Sequence, residues 1–154
     1  MTTETNEPVR IETETFLLEL PEGWEITELE DQATLNGPND EFLVVSSYDI
    51  SSDAKETDSK SIKDEFEEDI VRSLKETADQ PDLKITSQLK RQKTTKGHPV
   101  WSIKTEDTDG LQFFDQYATI GKKTVVMISI DGDLKDISSS DDILDAIEAI
   151  KWRA

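Results

Sequence analysis

Between Leu83 and Ile130 the sequence alternates apolar and polar residues in short runs, and each run stops at a tight-turn signal. Leu83, Ile85, Ser87 and Leu89 alternate with polar residues before the turn Lys96-Gly97-His98-Pro99. Val100, Trp101 and Ile103 resume the pattern, Asp109-Gly110 breaks it, and Leu111–Ile120 resumes it again. Gly121-Lys122 leads into Val125-Val126-Met127-Ile128, which Asp131-Gly132 closes. A period of two places successive side chains on opposite faces of a strand. Connections this short join only antiparallel neighbours, because parallel strands need a crossover of a dozen residues or more. The segment is therefore read as an antiparallel meander of about four strands.

The first half adds strands of the same kind. Val9, Ile11 and Thr13 alternate with charged residues, and Phe16, Leu18 and Leu20 follow. Pro21-Glu22-Gly23 is turn chemistry, after which Trp24 and Ile26 begin another extended piece and Ala33–Leu35 a short one. Asn36-Gly37-Pro38-Asn39 is a further turn. Phe42-Leu43-Val44-Val45, apolar on both faces, reads as a central strand covered on both sides. It runs through Tyr48 and Ile50 into a polar loop over 51–61.

Two segments break the period. Ile62, Phe66, Ile70 with Val71, and Leu74 recur every four residues and mark one face of a helix that Pro81 terminates. Ile143, Leu144, Ile147 and Ile150 mark a second helix. Ser61 with Asp64, and Ser139 with Asp142, have capping-box spacing at the two starts. Trp152 is placed over the edge of the second helix. Residues 1–8 read as a loose arm and 9–154 as one α+β domain. Its expected form is a central antiparallel sheet flanked by helices, an α/β/α sandwich.

Phe16-x-Leu18-x-Leu20-Pro21-x-Gly23-Trp24 resembles the opening of the PsbP-like and Mog-like proteins and their bacterial DcrB-related cousins. Lys96-Gly97-His98-Pro99-Val100 resembles the turn that opens their middle hairpin. The helix from Ile143 to Trp152 resembles the one that ends them, with Ala149 in place of the usual serine region. The order of elements matches from about Val9 to Trp152. The resemblance implies an antiparallel sheet between helices and a role as an accessory subunit, a regulator of small GTPases or a chaperone for secreted effectors. The matching residues lie in turns and core, so no functional residue is carried over.

The chemistry of the chain excludes several functions. It has no cysteine, hence no disulfide, thiolate metal site or cysteine nucleophile. His98 is the one histidine, and a general base needs a partner that the sequence does not nominate. Acidic residues number 35 against 17 basic ones, giving a net charge of −18. Polyanions are repelled by such a field, so neither nucleic acid nor an anionic membrane is an expected partner. No run approaches the ~20 apolar residues of a membrane span. The polar start lacks a signal sequence, so a cytoplasmic location is expected; a mature chain stripped of its signal reads the same way.

Each remaining cluster has a structural reading and a functional one. Setting Gly110 at the sixth place of a calcium loop puts Thr105 first and Gln116 twelfth, so Glu106–Gly110 fails as a cation site, and Asp131-Gly132-Asp133 has no sequel. Glu65, Glu67, Glu68 and Asp69 form a solvated helix face, or an acidic docking face for a basic partner. Lys90, Arg91, Lys93 and Lys96 guard an edge strand, or contact an acidic partner or the acidic face of a second copy in a homodimer. Trp101, Phe113, Phe114 and Tyr117 are the densest aromatic group; adjacent Phe113 and Phe114 point to opposite faces of a strand, one as core under a helix and the other as core on the far side. If one sheet face is uncovered they are the candidate anchors for a peptide or helix. The chain is thus expected to be a non-enzymatic protein-binding module without cofactor or metal: a chaperone, adaptor or immunity-type protein linked to bacterial secretion. The alternative is an accessory factor that regulates a small GTPase or a larger assembly through its acidic surface.

Overall fold

A computed structural model describes residues 9–29, 32–49, 59–93, 98–121 and 124–152, with backbone only for 48–49, 59–66 and 93. The expected arm, most of the 51–61 loop, Lys96-Gly97 and Lys122 lie outside the described residues. Among the described residues there are ten strands and two α-helices, all but the last strand in the order read from the sequence: β1 (Val9–Glu12), β2 (Phe16–Leu20), β3 (Glu25–Leu29), β4 (Ala33–Asn36), β5 (Phe42–Asp49), α1 (Ser59–Ala78), β6 (Leu83–Lys93), β7 (Pro99–Asp107), β8 (Gln112–Ile120), β9 (Thr124–Asp133), α2 (Ser138–Glu148) and β10 (Lys151–Trp152). A 3-10 turn, Leu134–Asp136, links β9 to α2. Neither helix is long and apolar enough to cross a membrane.

Every described strand pairing is antiparallel. The strands form two sheets where the sequence suggested one. Seven strands run in the order β3-β4-β5-β9-β8-β7-β6, and three in the order β1-β2-β10. The small sheet exists because Trp152, instead of capping the helix edge, pairs in register with Phe16. Its ring packs edge-on against Phe16 with centroids 6.4 Å apart.

The apolar rows of the strands divide into two clusters. Ile70, Leu74 and Ala78 of α1 pack with Trp101, Ile103, Ala118 and Ile120. Ile143 and Ile147 of α2, with Phe16, Leu18 and Leu20 of β2, pack with Leu43, Phe113, Tyr117 and Ile128. Tyr117 and Ala118 are neighbours on β8, so the two clusters lie on opposite sides of that strand. Burying both rows is what lets an economical set of apolar residues, 34% of the chain, support the fold.

Four local expectations are corrected. Asp131-Gly132-Asp133 is not a closing turn: β9 continues through it, and Phe113 pairs with Gly132. Ser139 is not a cap, because α2 starts at Ser138 behind Ile137 and has no side-chain cap bond. The first helix likewise starts at Ser59, before the spacing read at Ser61. The fourth concerns the first half of β5, Phe42–Val45, which is closed on one side only. Leu43 and Val45 are buried, whereas Phe42 is 41% exposed and Val44 half-buried.

Candidate functional site

The four aromatic residues singled out in the sequence do not share a face. Trp101 belongs to the cluster under α1, while Phe113 and Tyr117 belong to the cluster under α2. All three are at most 2% exposed. Phe114 alone reaches the surface, half-buried. The reason is the pleat: Phe113 and Phe114 must diverge, and both rows are needed for core.

The basic group also divides. Lys90, Arg91 and Lys93 lie on β6, an edge strand of the large sheet, with Lys90 opposite Ser102, Arg91 opposite Trp101 and Lys93 opposite Pro99. Consecutive Lys90 and Arg91 therefore face opposite sides. Arg91 is engaged within the chain: its guanidinium carbon lies 5.6 Å from the centre of the Trp101 ring and its Nε 3.2 Å from Glu67 Oε1. The edge carries the charges that discourage pairing with another sheet. The Lys93 side chain and Lys96 are outside the described residues.

The surface left open lies beside α1, which packs chiefly on β6, β7 and β8. Beyond those strands the same side of the sheet presents Phe42 and Val44 from β5, Ser129 and Asp131 from β9, and Phe114 from β8. All are half-buried except the more exposed Phe42. Register places Phe42 opposite Asp131, and Asp131 opposite Phe114, so the three form one row across three strands. Val44 and Ser129 form the next row. A cavity of about 290 Å³ opens at the end of this surface, lined by Gln80, Leu83, Asp107, Gln112, Phe114 and Asp131 among others. Burial pushes the Asp131 carboxyl above its ordinary pKa.

On the opposite side, under the first turn of α2, lies a buried polar cluster that the sequence reading missed. Glu41 and Asp115 are fully buried carboxylates. Ser139 donates its hydroxyl to Glu41 Oε2, and the Asn39 amide donates to Oε1 at 2.7 Å. Ser140 donates to Asp115 Oδ2 at 2.6 Å and lies 2.5 Å from the Tyr117 hydroxyl. Asp115 Oδ1 is buried without a hydrogen-bond partner. Burial raises the Asp115 pKa against the opposing pull of Ser140 and Lys104. At Glu41 burial also pushes upward, but the bonds from Ser139 and the local backbone outweigh it and hold the carboxyl below its usual value. One signal was available: Asp115 sits at core parity on β8, two residues from both Phe113 and Tyr117. This cluster ties the first turn of α2 to the sheet.

The other polar features have internal partners. His98 is buried, its Nε2 lies 3.2 Å from the Ile147 carbonyl oxygen, and its ring meets Trp152 edge-on at 5.9 Å. Asp107 accepts from the Leu111 amide at 2.8 Å within its turn. On α1, Glu67 pairs with Arg91 and Asp69 with Arg72. Among the described residues no three His, Cys, Asp or Glu side chains gather as metal ligands would.

No protein-family model and no curated protein sequence matches the chain. Solved structures do. The solution structure of cyanobacterial PsbP (CyanoP) from Synechocystis superposes with a TM-score of 0.58 at 9% identity, covering 97% of this chain and 95% of that one. The crystal structure of LpqN, involved in cell envelope biogenesis of Mycobacterium tuberculosis, gives 0.61 at 10% identity, covering 99% and 87%. At such identities the likeness concerns architecture alone: the chain has a PsbP-like fold.

Proposed function

We propose that the protein is a non-enzymatic accessory module that binds another protein through the open part of the large sheet beside α1. The observation that carries this reading is the contrast within β5, where Leu43 is fully buried and the adjacent Phe42 is 41% exposed. Phe42 adjoins half-buried Val44 and Phe114 on the same face, and a contiguous exposed apolar patch of this kind marks an interaction surface. The fold supports the reading, since it is shared with PsbP and with a protein involved in cell envelope biogenesis. In this reading the architecture has three layers, α1 over one face of the large sheet and α2 with the small sheet over the other. Chaperone, adaptor and immunity-type roles, kinship with Mog-like and DcrB-related proteins, and a cytoplasmic location belong to the same proposal.

A photoreactive amino acid placed at Val44, and at the exposed Glu22 as control, tests it in lysate of the source cell. A discrete adduct from position 44 that is absent from position 22 is expected. Identical products from both positions sink the reading. The second reading, regulation of a GTPase or assembly through acidic surface, is favoured by the net charge of −18. It requires binding that collapses as salt is raised from 0.05 to about 0.5 M, while an apolar contact at Val44 persists.

A further inference from the structure

Among the described residues Asp131 is the one half-buried carboxylate that sits directly between two aromatic residues in strand register: Phe42 on β5 and Phe114 on β8 are its cross-strand partners. Directly opposed residues on one face hold their Cβ atoms about 5 Å apart, so both rings border the carboxylate. Among the described residues no hydrogen bond or ion pair reaches that side chain, and no basic side chain lines the adjoining cavity. The two carboxylates buried fully among the described residues have hydroxyl donors, Ser139 for Glu41 and Ser140 for Asp115. Burial without such a donor is unfavourable to the charged form, and at Asp131 burial is the sole cause of the upward pKa shift. The site is short of a cation, on a molecule whose net charge of −18 attracts one.

We propose that the row Phe42–Asp131–Phe114 is a recognition subsite for an arginine side chain carried by a basic segment of the partner. The proposal rests on the docking face described above. A guanidinium is planar and weakly hydrated, so it stacks on aromatic rings while its N–H fork pairs with a carboxylate. Asp107, on the wall of the same cavity, adds negative potential but already accepts from the Leu111 amide. Two carboxylates with no third ligand do not make a metal site. The partner segment therefore supplies the positive charge the row lacks, and its apolar neighbours extend over Val44.

The test is a titration of isotope-labelled protein, followed by amide chemical shifts, with a capped eight-residue peptide carrying one central arginine and with its citrulline counterpart. The arginine peptide is expected to give saturable shifts at Phe42, Phe114 and Asp131. Citrulline and Asp131→Asn are each expected to weaken binding about tenfold or more, the size of one lost charge-assisted contact, and Phe42→Ala about threefold to tenfold, the size of one lost cation–ring contact. Asp133→Asn, an exposed acid on the same strand, leaves binding unchanged. Equal affinity of the two peptides, or an undiminished response in Asp131→Asn, overturns the subsite. Either result leaves the docking face standing if position 44 still cross-links, so the two proposals fail separately. Shifts spread evenly over the acidic surface also overturn it. The thermal midpoint of each variant, measured alongside, separates lost binding from lost fold.

Discussion

The hydroxyl of Ser139 donates to Oε2 of Glu41, joining the first turn of α2 to the start of β5 across most of the length of the chain. Glu41 lies so close over Gly37 that a Cβ there would come 2.4 Å from Oε1. The turn Asn36–Asn39 therefore needs its glycine for close approach. Its composition marked the turn in the sequence, and the tertiary contact accounts for the glycine.

Glu41→Ala is expected to lower stability by about 3 kcal/mol, because it strands the Ser139 hydroxyl and the Asn39 amide in a buried site. Glu41→Gln keeps the shape and is expected to cost less. In the wild type the Glu41 contribution is present above the unfolded-state pKa, since its folded pKa is depressed, and is lost as pH falls through the folded value. Urea unfolding of the wild type and Glu41→Gln between neutral and acid pH checks this: the gap between them must close on acidification.

Asp115 has the opposite sign. Its folded pKa is raised by burial, so the folded state holds a proton that the unfolded state has released, and stability falls as pH rises through that window. Asp115→Asn removes the slope. The wild type is expected to lose stability relative to this variant on going from acid toward neutral pH, and parallel curves would contradict the assignment.

Phe42 and Leu43 give a paired test of which side of β5 is closed. Leu43→Ala is expected to cost about 2–5 kcal/mol as a core truncation. Phe42→Ala is expected to cost less than about 1 kcal/mol, as a surface change does. Comparable losses in the thermal midpoints of the two variants would mean that Phe42 is covered.

Gly121 carries the ring of Trp152, with a Cβ at that position coming 2.3 Å from Cδ2. Gly121→Ala must displace β10, costing about 1–3 kcal/mol as overpacking does. Tryptophan fluorescence moving toward longer wavelength in Gly121→Ala, and not in Gly110→Ala, is the expected reading.

Legibility followed the range of the interactions. The meander from Leu83 to Ile130 was visible because each strand carries its own period of two. The helical faces Ile70–Leu74 and Ile143–Ile147 were visible for the same reason at a period near four, whereas Ile150, read as part of the second face, lies past the end of α2 at Glu148. The edge position of Lys90 and Arg91 was also readable, since edge strands tend to carry charge. The aromatic group misled because proximity in sequence does not say which rows a helix will cover. The opposite directions of adjacent Phe113 and Phe114 were readable from the pleat, but not that Trp101 and Tyr117 would be buried in different clusters or that Phe114 would stay partly accessible. Ser139 was taken for a cap because its spacing satisfies the local rule; a buried carboxylate 98 residues away claimed its hydroxyl instead.

What the sequence determined by itself was the set of elements up to the second helix, their antiparallel order and the chemistries ruled out by the lack of cysteine and a single histidine, because periodicity and composition are local properties. Which strands make two sheets instead of one, which side of β5 remains open, and which carboxylates are buried with donors or without them were decided only in three dimensions. Those outcomes depend on where Trp152, α1 and the first turn of α2 come to rest, and so on contacts between residues far apart in the chain. Asp131 reads as a turn residue in the sequence, and only its two cross-strand neighbours make it the floor of a candidate site.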